Sequence, residues 1–125
     1  VVAGSSPASP TIKKSQGAVA ISMKKYLLVL QFRSAAMQDF ERLVAFETML
    51  LKRLPPLGEV DGHDCGKEEF NIFVFTDRPV EIFEAAELLR RKELPECNPI
   101  VAYRKVRGEV YTVLSPAGYQ GFKIS

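Results

Sequence analysis

An α+β fold of the ferredoxin-like kind, βαββαβ, is predicted by three observations. Two short apolar runs, residues 26–32 (YLLVLQF) and 70–75 (FNIFVF), read as buried strands. Two stretches carry apolar residues at helical spacing, and a more polar strand-like segment follows each of them. That topology puts the first and third strands, here the most apolar, in the centre of a mainly antiparallel four-stranded sheet, with two helices on one face.

Each element has its own signals. Ser34 is placed to cap a helix running to about Leu54, where Pro55-Pro56 stops it. Phe40, Leu43, Val44, Leu50, Leu51 and Leu54 recur at helical spacing and give that helix one broad apolar face. Residues 58–64 form a polar edge strand, and residues 65–68 turn the chain back into 70–75 as a hairpin. Thr76 or Asp77 caps the next helix, with Pro79 in its first turn, where a missing N–H costs little. Ile82, Phe83, Ala86 and Leu89 are its buried stripe, and Arg90-Arg91-Lys92 suits the negative end of the helix dipole. Residues 100–106 alternate as a half-exposed strand, Gly108 turns the chain, and 110–114 reads as a short fifth strand; from Ser115 onward the chain reads as loop.

Composition bounds the answer. The chain has 125 residues, 46% hydrophobic and 26% charged, the make-up of one ordinary domain. Residues 1–12 stand apart: they are rich in Ser, Pro and small residues and carry no apolar periodicity and no charged start of a secretory leader. Read back into codons, Gly4-Ser5-Ser6-Pro7 can be encoded so as to resemble the T-arm of a transfer-RNA gene and Pro10-Thr11-Ile12 its CCA end, the competing reading being a disordered natural tail. We therefore expect residues 1–22 to be a disordered extension translated from a neighbouring gene, the biological start to be Met23, and residues 23–125 to be the domain. Lys13 and Lys14 are the only charged side chains before Met23, so 17 Lys+Arg against 15 Asp+Glu becomes 15 against 15 and the net charge falls from +2 to 0. A neutral domain has no global field to gather nucleic acid or an anionic membrane. Two cysteines, Cys65 and Cys97, are too few for a disulfide scaffold and fit a reducing cytoplasm. No apolar run reaches the ~18 residues of a membrane span.

Helices on one face leave the other bare. Leu27 and Val29, with Phe73 and Phe75, would then expose an apolar patch too large for water. A partner, a ligand or a second copy of the chain should cover it.

The densest polar cluster is 61–66 (DGHDCG), which holds the only histidine. On a regular strand Asp61 and His63 share one face while Asp64 points to the other. A carboxylate beside an imidazole fixes its tautomer and raises its basicity, as a general base requires. The competing reading is a solvated edge strand. As a zinc site, His63, Cys65 and Cys97 lack the usual ligand spacing, so no metal and no cofactor is expected. Glu47 falls near the middle of the first helix's apolar face, where a bare carboxylate would cost several kcal/mol. It must therefore be paired, with His63, Asn71, a backbone N–H or an arginine as partner. Glu47, His63 and Asn71 then make a small polar site between helix and sheet; the alternative is a purely structural carboxylate. Aromatics on the third strand invite a reading as an RNA-binding module, but Glu68 and Glu69 stand where a basic residue and a glycine would favour phosphate.

Residues 62–73 (GHDCGKEEFNIF), followed by Thr76-Asp77-Arg78-Pro79, resemble a pattern found in small bacterial proteins of about this length. The likeness runs from Tyr26 to Leu114 and implies the same fold, but it carries no catalytic assignment. The chain resembles neither an acylphosphatase nor a four-cysteine ferredoxin. The expected function is a cytoplasmic, non-enzymatic module that binds a protein partner or a small polar ligand and self-associates as a homodimer through its open sheet face. Ligand contacts are expected from Glu47, His63, Asp64 and Asn71. The enzyme alternative uses His63 as base with Asp61 as its orienting group, and Glu47 and Asn71 holding substrate.

Overall fold

The computed structural model describes residues 24–33, 37–66 and 68–124. The expected disordered extension and the Ser34 cap lie outside the described residues. Seven elements follow in chain order: β1 (Tyr26–Arg33), α1 (Met37–Arg53), β2 (Gly58–Gly66), β3 (Glu69–Thr76), α2 (Pro79–Glu93), β4 (Ile100–Lys105) and β5 (Thr112–Ser115). The strands form an antiparallel sheet of five in the order β2-β3-β1-β4-β5. The two most apolar strands, β1 and β3, are both interior, as their composition demands. The fifth strand makes β4 interior too, so the polar β2 and the short β5 are the edges.

Strand alternation divides the sheet into two faces. Leu28, Leu30 and Phe32 of β1, with Phe70, Ile72 and Val74 of β3, meet Leu43, Phe46, Leu50 and Leu54 of α1 and Ile82, Ala86 and Leu89 of α2. Both helices therefore pack on one face. The stripe of α1 is narrower than its spacing suggested. Phe46 is in the core, whereas Leu51 lies at the border of the face and is 49% exposed. Gly58 is fixed by the close approach of α2, since a Cβ there would stand 2.6 Å from Ile82 Cδ1.

The ends of α2 differ from expectation. Its N-cap is Arg78, with no side-chain cap bond. Thr76 instead donates from Oγ1 to the Leu57 carbonyl (2.9 Å) and accepts from the Arg78 N–H (2.9 Å). Asp77 accepts from the Lys25 N–H (2.8 Å), so both polar side chains tie strands and loops together rather than cap. At the other end Arg90 is buried, not a solvated dipole partner. Its guanidinium grips the Glu87 carboxylate through Nε (3.0 Å) and Nη2 (2.7 Å), and Nη1 donates to the carbonyls of Leu94 and Cys97. That fork holds the turn into β4. It keeps the Glu87 carboxyl below its ordinary range, chiefly through the hydrogen bond from Arg90. No helix among the described residues is long and apolar enough to cross a membrane.

Candidate functional site

The polar hairpin is shaped by one irregularity. Along β2–β3 the register shifts between Val60 and Gly62, leaving Asp61 as an extra residue, and Gly62 has φ 145°. A bulge inverts the alternation downstream of it. Val60 pairs with Val74 on the helix face, and beyond the bulge His63 pairs with Ile72 on that same face. Regular alternation from Val60 would have turned His63 away. The expectation that Asp61 and His63 share a face through simple alternation is thus replaced by a bulge that delivers His63 to α1.

There it meets Glu47. The His63 Nδ1 lies 2.7 Å from Glu47 Oε1, and the carboxylate is buried while the imidazole side chain is 30% exposed. The ring stacks on Phe70 (centroids 4.6 Å, planes 17° apart) and receives the edge of Phe40 at 6.1 Å. Of the partners open to Glu47, the structure selects His63, and Glu47 takes the orienting place expected of Asp61, which is exposed on the bulge. With Nδ1–H donating to the carboxylate, Nε2 keeps its lone pair and accepts a proton or a ligand N–H or O–H. The nearby Cys65 thiol is pushed up by burial and then by the charges of Asp64 and Glu47, so it stays protonated and is a poor nucleophile at neutral pH. Among the described residues, no three His, Cys, Asp or Glu side chains gather to hold a metal ion, so His63, Cys65 and Cys97 do not form a site.

Asn71 and Asp64 do not join the pair. They are register partners on the opposite face, in line with Gln31 of β1. Gln31 and Asn71 are both fully buried. Gln31 Nε2 donates to Asn71 Oδ1 (3.0 Å) and to the Lys123 carbonyl (3.0 Å), while its Oε1 accepts from Arg33 Nε (3.3 Å). Asn71 Nδ2 donates to Glu69 Oε2 (3.0 Å), and Arg33 Nη2 reaches the Tyr119 hydroxyl at 3.5 Å. No buried side-chain N or O among the described residues lacks a partner. This row was missed, apart from Asn71, though the signal existed: Gln31 interrupts an apolar run as Glu47 interrupts an apolar helix face.

The expected bare apolar patch is covered by the chain itself. Leu27, Val29, Phe73 and Phe75 form a second core cluster with Tyr111, Phe122 and Ile124 packed against it. The segment read as loop after Ser115 therefore folds back across the sheet. Phe73 and Phe75 lie beneath it, at 2% and 9% exposure, and are not presented for stacking on bases. A cleft of about 510 Å³ is lined by Glu109, Tyr111, Val113 and residues 118–122, and the Tyr111 and Phe122 rings among them are in edge contact (centroids 4.8 Å). Arg104 sits over the Tyr111 ring at 5.7 Å and donates from Nε to its hydroxyl (3.3 Å).

Comparison with family models, with curated proteins and with solved structures finds no match to this chain.

Proposed function

We propose that this chain is a non-enzymatic interaction module of ferredoxin-like architecture, bacterial and cytoplasmic, that self-associates through the sheet face its helices leave open. The order β2-β3-β1-β4, with both helices on one side, supports the fold reading, and β5 is an addition at the β4 edge. The observation that carries the functional reading is the way the second face is closed. Among the described residues, Leu27, Val29, Phe73 and Phe75 are packed by Tyr111, just before β5, and by Phe122 and Ile124 of the irregular C-terminal segment, and by neither helix. Such an apolar surface attracts a partner whenever its cover lifts. Sedimentation velocity of the full chain, from low to high micromolar, tests the reading: a dimer that grows with concentration is expected, and a monomer throughout overturns it.

A second reading is favoured by the 2.7 Å contact between Glu47 and His63. In it His63 is a general base, or the acceptor for a small polar ligand, and Glu47 holds its tautomer. Replacing His63 by Ala leaves dimerisation intact under the first reading. Loss of dimerisation in a folded His63→Ala protein would instead make the hairpin part of the interface.

A further inference from the structure

We infer that one end of this domain docks on an anionic lipid surface, its exposed aliphatic side chains entering the interface between cations that meet the headgroup phosphates. This goes beyond self-association and uses a different part of the molecule.

The strands define that end. Tyr26 is in register with both Thr76 and Lys105, and Thr76 with Gly58, so the starts of β1 and β2 and the ends of β3 and β4 lie side by side. The last turn of α1 leads into β2, the first turn of α2 leaves β3, and the turn from β4 to β5 completes the row. Two properties coincide there. Of the five large hydrophobic side chains exposed among the described residues, Leu51, Val80, Val106 and Val110 are at this end, Val110 at 83%, and Leu88 lies farther along α2. Among them stand Lys25, Lys52, Arg53, Lys105 and Arg107, all exposed and in no salt bridge among the described residues. With Lys24, Arg78 and Arg104, eight cations stand against four carboxylates, Glu59, Asp77, Glu81 and Glu109. A net charge of zero over residues 23–125 thus coexists with a basic end, and the field that the whole domain lacks is present there.

The β4–β5 turn is braced in a form that leaves its apolar groups outside. Arg104 Nη1 donates to the carbonyls of Lys105 (3.0 Å), Val106 (2.8 Å) and Gly108 (3.1 Å), and the Val106 N–H donates to the Lys25 carbonyl (2.8 Å). The polar main chain is satisfied inward while Val106, Arg107 and Val110 remain exposed. Methyl groups interspersed with lysine and arginine suit the boundary between headgroups and acyl chains, where each kind of group finds its own surroundings. A nucleic acid would use the cations equally well, but its bases stack on aromatic rings and offer no place to four aliphatic side chains. Contact is with the surface alone, because no helix among the described residues is long and apolar enough to cross a membrane.

Cosedimentation of the full chain with vesicles of equal parts phosphatidylglycerol and phosphatidylcholine tests this. Binding is expected to the mixed vesicles, to fall as salt is raised, and to be absent with phosphatidylcholine alone. Lys105→Gln/Arg107→Gln should weaken it by at least about tenfold, since each cation near an anionic surface contributes about fivefold. Val106→Ser/Val110→Ser should weaken it by about tenfold, through lost apolar burial. Leu88→Ser, at an equally exposed site away from this end, should leave it unchanged. No binding to the mixed vesicles overturns the proposal. So does equal binding to phosphatidylcholine, because the cations then have no part. Binding that the valine variant retains in full, with an oligothymidylate bound more tightly than the vesicles at the same salt, replaces the lipid surface by a nucleic acid. Should the double valine variant unfold, Val110→Ser alone decides, at a side chain almost wholly in solvent. None of these outcomes depends on whether the chain dimerises through its other face.

Discussion

Two polar groups are built into this sheet, one on each face, and they are built differently. On the helix face, Glu47 and His63 share one short contact, and the imidazole is partly open to solvent. On the second face, Gln31 and Asn71 are buried with every polar atom engaged, and one of their partners is the main chain of the C-terminal segment. A pair with one exposed member is able to exchange its partner for water. A closed row is not, because removing any member orphans the others. The first pair therefore tolerates water in place of a partner, and the second is the latch that seats the segment.

The largest effect should come from breaking the latch. Gln31→Leu leaves Asn71 Oδ1 and the Lys123 carbonyl without donors, and we expect a loss of about 2–4 kcal/mol by urea denaturation. A loss below about 1 kcal/mol would show that water replaces the glutamine and that the two faces are alike.

Next is the bulge. Gly62→Ala puts a side chain at φ 145°, which we expect to cost about 1–3 kcal/mol although no atom lies within 4 Å of the added Cβ. Chemical shifts of His63 should move with it, since the bulge sets its face.

The helix-face pair should respond less. Glu47→Leu leaves a partly exposed imidazole that turns to water, and the stability change should stay within about 1 kcal/mol in either direction. A loss above about 3 kcal/mol would make Glu47 as indispensable as Gln31. Acid titration of unfolding sharpens the contrast with a third polar group, Glu87 with Arg90. The Glu87 carboxyl is lowered in the native state, so its contribution is complete above the unfolded value of about 4.3 and is lost as the pH falls through the lower native value. Glu87→Gln should remove that part of the acid limb. The smallest effect is a gain: Glu68 has φ 61° in the hairpin turn, and Glu68→Gly should stabilise by about 0.5 kcal/mol.

How far the sequence could be read depends on periodicity. The spans of β1, β3 and both helices were legible, because long apolar patterns report burial over many residues. The polar oddity of Glu47 was legible for the same reason, and its pairing to His63 was among the stated choices. The bulge was not: one extra residue at Asp61 leaves no mark in composition, yet it reverses which face His63 and Asp64 occupy. The expected contacts Glu47, His63, Asp64 and Asn71 divide between the two faces because strand neighbours alternate: Asp64 and its register partner Asn71 lie opposite His63, and the bulge decides that His63 is the one that meets Glu47. The caps at Thr76 and Asp77 failed on similar ground, because local capping competed with the Leu57 carbonyl and the Lys25 N–H, which are distant in sequence.

By itself, the sequence determined an α+β chain with β1 and β3 inside the sheet, since only burial on both faces suits runs as apolar as theirs. It also determined that one sheet face would need a cover beyond the helices. Only the tertiary structure decided what that cover is. Phe122 and Ile124 are two apolar residues in a short irregular stretch, too few to carry a period, and their role appears only where the backbone turns through Gly118 and Gly121 to bring them onto Leu27, Val29, Phe73 and Phe75.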